Sequence, residues 1–431
     1  ELNRDQNHMK WAQYDANSGK RIQTIFEEKN NKWVEPEYPL YFIPEKSNEF
    51  ITLSERDGFM NIYHYNTDGK LLKQITRNKW VTTKIKHVSR DKIYFEGTGS
   101  DPRSLHTYSV SLDGSNQIKL TQEKGIHKTK LSPNKNYLID QYSNTTTPGI
   151  TQIINLKNSK NYILNKAENP LENYSVGKTE LIEIKSNNDN KLYSRLIKPS
   201  NFDENKKYPV LVYVYGGPHA QLVTNSWLAG ASLWMYWMAE QGYIIFTIDG
   251  RGSANRGFEF ESSIFRNLGD VEMKDQISGL NYLKGLNYID TNRLAVHGWS
   301  YGGFMTTSLM TRYPNLFNVG VAGGPVIDWK WYEVMYGERY MDQPQTNEEG
   351  YKNNSLLNYA KFLKGDLLLI HGTADDVVVM QHNLSFVKKC VEEGVHVDFF
   401  PYPMHKHNVR GKDRVHLMEK VLNYILSKNN N

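Results

Sequence analysis

The alternation that begins near residue 175 constrains this chain more than any other feature. Runs dense in Val, Ile and Leu recur at 209–215, 243–249, 293–297, 320–322 and 367–371, and helical stretches lie between them, including 270–284 and 384–393. A strand that is apolar at nearly every position is buried on both faces. Such strands separated by helices predict a doubly wound, mostly parallel sheet. Residues 1–172 keep a different rhythm, with short strands separated by Asn, Asp and Gly. Asp68-Gly69 recurs as Asp113-Gly114, and Ile75-Thr76 recurs as Leu120-Thr121, each 45 residues later. Each Asp-Gly follows a Tyr-bearing strand, as a hairpin turn requires. A four-stranded repeat of about 40–45 residues has the size of one β-propeller blade. The expected organisation is therefore part of a β-propeller, about three to four blades, over 1–172, followed by an α/β unit over 173–431. So few blades would struggle to close a ring, and the chain opens on Glu1 rather than Met. Further blades upstream of Glu1 are the expectation.

Composition narrows the function classes. A length of 431 residues exceeds one ordinary domain. The formal charge of +5 comes from dispersed Lys and Arg without a basic run, so no nucleic-acid partner is expected. No apolar stretch approaches the roughly 18 residues of a membrane span. Cys390 is the only cysteine, so an intrachain disulfide is impossible.

The chemistry concentrates at Gly298-Trp299-Ser300-Tyr301-Gly302. This Gly-x-Ser-x-Gly follows an apolar strand and precedes a helical segment at 304–312, the context a strand-to-helix nucleophile turn needs. The serine sits there with a strained backbone, and small neighbours prevent clashes. A serine hydroxyl is a weak nucleophile until a base takes its proton and a carboxylate orients that base. The strand at 367–371 ends in Gly372-Thr373-Ala374-Asp375-Asp376, which places acids at the carboxyl end of a sheet strand. The strand at 396–402 leads into Pro403-Met404-His405-Lys406-His407. Ser, acid and His thus follow in the order of the α/β-hydrolase fold. From these residues alone either Asp375 or Asp376 could be the acid, the other capping the next helix, and either His405 or His407 the base. His405 and His407 also have the spacing of a metal pair, but no further ligand cluster accompanies them, and neither metal nor cofactor is expected. His297 and His371, at strand ends, read as packing histidines.

With these residues assembled, the chain resembles the prolyl oligopeptidase class of serine peptidases, and within it the dipeptidyl peptidase IV branch. The resemblance rests on Tyr213-Val214-Tyr215-Gly216-Gly217-Pro218, Asp249-Gly250-Arg251-Gly252-Ser253, the Ser300 motif, Tyr336-Gly337-Glu338-Arg339-Tyr340-Met341 and the 371–376 segment. It implies Ser300 as nucleophile, Asp375 as orienting acid and His407 as base. It implies an oxyanion hole from the Tyr215 hydroxyl and the Tyr301 backbone N–H. It further implies a proline pocket of Tyr301, Val326, Trp329, Tyr332, Tyr336 and Val378, of which Val326, Trp329, Tyr332 and Tyr336 have a spacing that alone reads as a core-facing helical stripe. A flat apolar box suits proline because the ring is rigid and loses little entropy on binding. Val377 stands where the dipeptidyl branch has Asn, and Glu333 where it has Asp. With the 404–409 segment, both features are more similar to the prolyl tripeptidyl aminopeptidases. Glu333 is then expected to recognise a substrate's amino terminus.

The expectation is an exopeptidase that releases N-terminal tripeptides from proline-containing peptides. Dipeptide release is the alternative, and a catalytically inactive interaction subunit or a general esterase are readings from other classes. Ser300, Asp375 and His407 together speak against the inactive subunit. The resemblance also implies a homodimer in a secreted, periplasmic or cell-surface location.

Overall fold

The computed structural model describes residues 1–429 and separates them into two compact units. The first comprises Glu1–Pro170 together with Thr224–Gly230 and Ala254–Ser262, so the division does not follow one cut in the chain. It holds a two-stranded sheet (His8–Tyr14, Arg21–Lys29) and three four-stranded antiparallel sheets. These are propeller blades, each a meander of neighbours in sequence. The first is Tyr41–Ile43, Lys46–Ser54, Asn61–Asn66 and Leu71–Gln74. The second is Thr82–Val88, Lys92–Gly97, His106–Ser111 and Ile118–Lys119, and the third runs from Ile126–Leu131 to Asn161–Lys166.

The 45-residue period has a physical basis. Asp68-Gly69 and Asp113-Gly114 both turn the third strand of a blade into its fourth, and both glycines take positive φ, 86° and 82°. After the fourth strand, the Thr76 hydroxyl accepts the Ile62 N–H at 2.9 Å and donates to Asn61 Oδ1 at 2.8 Å. Thr121 accepts the Thr107 N–H at 3.1 Å and meets His106 Nδ1 at 3.2 Å. Every partner in the second set lies 45 residues after its counterpart in the first. Buried apolar residues, among them Ile51, Ile62, Ile85, Phe95 and Val110, join the two blades in one core.

The second unit comprises Leu171–Val223, Ala231–Ser253 and the chain from Ser263 onward. Its sheet has eight strands: β1 (Thr179–Lys185), β2 (Lys191–Ile197), β3 (Tyr208–Tyr213), β4 (Ile244–Asp249), β5 (Ile289–Trp299), β6 (Val319–Gly323), β7 (Asp366–Gly372) and β8 (Asp398–Tyr402). They lie in the order β1-β2-β4-β3-β5-β6-β7-β8. β1, β2 and β4 pair antiparallel, and all later neighbours pair parallel. The parallel core strands are the continuous apolar runs, and every residue of β4 and β6 is buried. The helices include α1 (Leu233–Glu240), α2 (Asp270–Lys284), α3 (Tyr301–Arg312), α4 (Val334–Met341), α5 (Gln381–Glu392) and α6 (Asp413–Asn429). Together the architecture is an α/β-hydrolase unit preceded in the chain by part of a propeller. The β1–β2 hairpin escaped the strand reading because β1 is only partly buried and lacks an apolar run. Strand order reverses where β3 passes to β4 on one side and β5 joins on the other. Ligand sites form beyond the carboxyl ends of strands at such a switch. Among the described residues, no helix is long and apolar enough to cross a membrane.

Candidate active site

Ser300 follows β5 and is the N-cap of α3, with φ 62° and ψ −118°. A non-glycine residue in this region stores about 1–3 kcal/mol of strain, which the surrounding structure must impose. Glycines make the turn feasible: a Cβ on Gly298 would lie 2.3 Å from Gly302 O, and one on Gly302 2.3 Å from Val214 O. The second approach brings the end of β3, with Tyr215, against the start of α3. The Tyr215 hydroxyl lies beside Ser300, and burial raises its pKa, so the phenol stays protonated. The Tyr301 N–H is the first of α3 and therefore has no partner inside the helix. The helix dipole adds positive potential at that point.

The acid and base loops are laced to each other. Thr373 N–H donates to Tyr402 O at 3.0 Å, Ala374 N–H to His405 O at 3.0 Å, and Met404 N–H to Thr373 Oγ1 at 2.8 Å. This lacing brings His407 Nδ1 to 2.8 Å from Asp375 Oδ2. Burial alone would raise the Asp375 carboxyl, but hydrogen bonds from His371, His407 and the Val377 N–H hold it far below the usual carboxylate range. An ionised carboxylate only accepts, so Nδ1 carries the proton and Nε2 has the lone pair of a base. The Trp299 indole N–H donates to His407 O at 2.9 Å, which ties the base to the residue before Ser300. The alternative partners lie elsewhere: Asp376 pairs with Lys406 at 2.6 Å, and His405 Nε2 meets Asp413 at 2.8 Å. A serine hydroxyl, an imidazole and an ionised carboxylate so arranged, with two donors beside the serine, can perform acyl transfer. Among the described residues, no group of three or more His, Cys, Asp or Glu side chains could hold a metal ion.

The aromatic residues do not form one helical stripe. Trp329 belongs to a short 3-10 turn, Tyr332 is extended, and Tyr336 lies in α4. The break folds their rings onto one another. Trp329 lies 5.2 Å from Tyr301, 5.7 Å from Tyr332 and 6.1 Å from Tyr336, and Tyr332 lies 5.1 Å from Tyr336. Burial pushes the Tyr332 phenol up to about 12, with the Tyr215 hydroxyl, Glu333 and Asp375 among the groups that act on it. Val326 and Val378 are both buried. A Tyr–Trp box thus lies beside Tyr215 and Tyr301.

Residues 230–431 match the profile of the prolyl oligopeptidase family, and residues 1–149 match the dipeptidyl peptidase IV N-terminal region. The chain belongs to the prolyl oligopeptidase family, in its dipeptidyl peptidase IV branch. Mouse dipeptidyl peptidase 8 is 32% identical to it over 79% of this chain and 40% of its own. Bovine prolyl endopeptidase FAP is 30% identical over 86% and 50%. A candidate dipeptidyl aminopeptidase IV of Bacteroides ovatus superposes with a TM-score of 0.96 at 44% identity, covering 99% of this chain and 64% of that one. Porphyromonas gingivalis dipeptidyl peptidase 4 superposes with a TM-score of 0.93 at 30% identity, covering 99% and 61%. The chain spans about half the length of the curated relatives it matches.

Within this prolyl oligopeptidase unit, Glu333 is exposed and caps α4. Its two oxygens accept the Met335 N–H at 2.9 Å and the Tyr336 N–H at 2.7 Å. Val377 is half-exposed and donates its N–H to Asp375 Oδ1 at 2.9 Å. His297 is buried with Nδ1 at 2.8 Å from Val321 O. His371 is buried too, yet it does more than pack: Nε2 lies 2.6 Å from Val378 O and 3.3 Å from Asp375 Oδ2. A second buried group, Glu272, accepts the Tyr301 hydroxyl at 2.6 Å. Its only sequence signal is Gly269-x-x-Glu272 at the start of a helical stretch, the spacing of a capping box. Sequence reasoning alone places neither His371 nor Glu272 in the site.

Proposed function

We propose that this chain carries the catalytic unit of a serine aminopeptidase that cleaves after proline near peptide N-termini. The observation that carries the reading is the Asp375–His407 pair at 2.8 Å with its base tied beside the strained Ser300. Ser300 Oγ attacks the carbonyl carbon of the proline residue while His407 Nε2 takes the hydroxyl proton. Tyr215 O–H and Tyr301 N–H donate to the oxyanion. The C–N bond then breaks, the leaving amine takes the proton from His407, and water hydrolyses the acyl-enzyme by the same route in reverse. The Trp329, Tyr332 and Tyr336 box accepts the proline ring.

Release of dipeptides is the favoured outcome, because mouse dipeptidyl peptidase 8 and Porphyromonas gingivalis dipeptidyl peptidase 4 are named for it. Tripeptide release is the second reading, favoured by Val377 and by Glu333, whose oxygens each keep a lone pair beyond the helix cap. Parallel assays of the native protein with Gly-Pro and Ala-Ala-Pro p-nitroanilides separate the two. Faster turnover of Gly-Pro supports the first, and faster turnover of Ala-Ala-Pro replaces it with the second. Labelling by a fluorophosphonate probe is expected, and Ser300→Ala abolishes it. A folded parent that takes no label and cleaves neither peptide overturns the enzyme reading in favour of an interaction subunit.

A further inference from the structure

Glu272 is the third residue of α2 and is fully buried. Both of its oxygens lie 3.0 Å from the Gly269 N–H, which closes the first turn of the helix, and Oε1 also accepts the Tyr301 hydroxyl at 2.6 Å. Ionisable groups face it from several elements. They are Asp270 and Asp275 on its own helix, Arg251 after β4, Tyr301 and Arg312 on α3, and Tyr336 on α4. Arg251 is occupied by Asp275, at 2.8 Å. Among the described residues, no Lys or Arg forms an ion pair with Glu272 within 4 Å.

A buried carboxylate without an ion pair is expensive. Helix capping alone does not require it, since Glu333 caps α4 from the surface. Burial pushes the Glu272 carboxyl up to about 7, against hydrogen bonds from Tyr301 and Gly269 that pull it down. What burial gains is the phenol of Tyr301. That residue has two duties in the proposed reaction: its backbone N–H is an oxyanion donor, and its ring packs 5.2 Å from Trp329 and 6.2 Å from Tyr215. A side chain anchored at its far end cannot swing, and its peptide N–H keeps its aim.

We propose that Glu272 is a positioning residue that acts through the Tyr301 hydroxyl, holding both the oxyanion donor and one wall of the proline pocket. The assignment rests on the peptidase reading. The test is a double-mutant cycle on the native protein with Glu272→Gln, Tyr301→Phe and the pair, read as kcat and KM for Gly-Pro-p-nitroanilide and as the rate of fluorophosphonate labelling. Each single variant is expected to lose about tenfold in kcat/KM, of the order seen when a reacting group is slightly misplaced. The loss should fall on both kcat and KM, and Tyr301→Phe should melt within a few degrees of the parent. In the Tyr301→Phe background, Glu272→Gln should add less than about twofold, because the bond it weakens is already gone.

If the two losses multiply instead, Glu272 acts through the helix cap and the assignment is overturned. If Glu272→Gln does not fold, Tyr301→Phe decides alone, and full activity in that variant overturns the assignment. A parent with neither hydrolysis nor labelling removes the peptidase reading and the assignment with it. That outcome is distinct from an active parent whose losses multiply.

Discussion

The blades and the strand ends of the α/β unit handle buried polar groups in opposite ways. In the first two blades a buried threonine hydroxyl after the fourth strand is paired locally and the solution is repeated: Thr76 serves Ile62 and Asn61, and Thr121 serves Thr107 and His106. Burial lowers His106 to about 3, so its ring is neutral beside that hydroxyl. At the carboxyl ends of β5, β7 and β8 nothing repeats. One residue takes a strained backbone and one carboxylate is driven far down by its donors, while Glu272 on α2, bonded to Tyr301, is raised to about 7 by burial. Regular pairing stabilises a fold, whereas unequal pairing within a few ångströms prepares a reaction. Substitutions in the two regions should therefore separate activity from stability.

The largest effect belongs to Asp375. Asp375→Asn keeps the shape but presents His407 Nδ1 with a side chain that can favour the wrong tautomer. Loss of about 10⁴-fold in kcat is expected, by analogy with acid-to-amide changes in other serine triads. The pH dependence of stability should change as well. The folded pKa lies below the unfolded one, so the ionised carboxylate stabilises the fold above the ordinary carboxylate range and this contribution fades as pH falls through it. Thermal melts should show the parent losing stability in acid more steeply than Asp375→Asn. Equal acid sensitivity would mean that the bonds from His371 and His407 contribute little. Tyr215→Phe ranks next. It removes one oxyanion donor and should lower kcat by about 10²–10³-fold with little change in KM. A loss confined to KM would reassign Tyr215 to binding.

Much of this was legible in the sequence because it depends on short-range order. The continuous apolar runs marked the parallel strands, and the Gly-x-Ser-x-Gly turn marked the end of β5. The 45-residue spacing of Asp-Gly and Thr marked the blades, since each pair forms a turn and a cap within one meander. Other features depend on what lies across the fold. The choice of Asp375 over Asp376 follows from lacing between the β7 and β8 loops. Trp329, Tyr332 and Tyr336 read as a helical stripe because their spacing fits one, and the break after Trp331 that turns the rings together leaves no periodic signal. Glu272 and His371 carry ordinary local labels, a helix cap and a strand-end histidine. Their meaning comes from Tyr301 and Asp375, which are distant in sequence.

The smallest effect on catalysis should come from the blades, where the comparison can be broken most cleanly. Thr121→Val is nearly isosteric and leaves the Thr107 N–H and His106 Nδ1 buried without their partner. A loss of about 1–3 kcal/mol in stability is expected from denaturant melts, because an unsatisfied buried donor carries its full desolvation cost. Thr76→Val should cost a similar amount through Ile62 and Asn61, since the two sites are copies of one arrangement. Lys166 stands 45 residues beyond Thr121, but it is exposed on the outer strand of the third blade. Substitution there should fall within about 0.5 kcal/mol. All three variants should retain kcat on a proline p-nitroanilide substrate once corrected for folded fraction. A Thr121→Val protein with unchanged stability would show that the period is inherited spacing rather than a repeated energetic need.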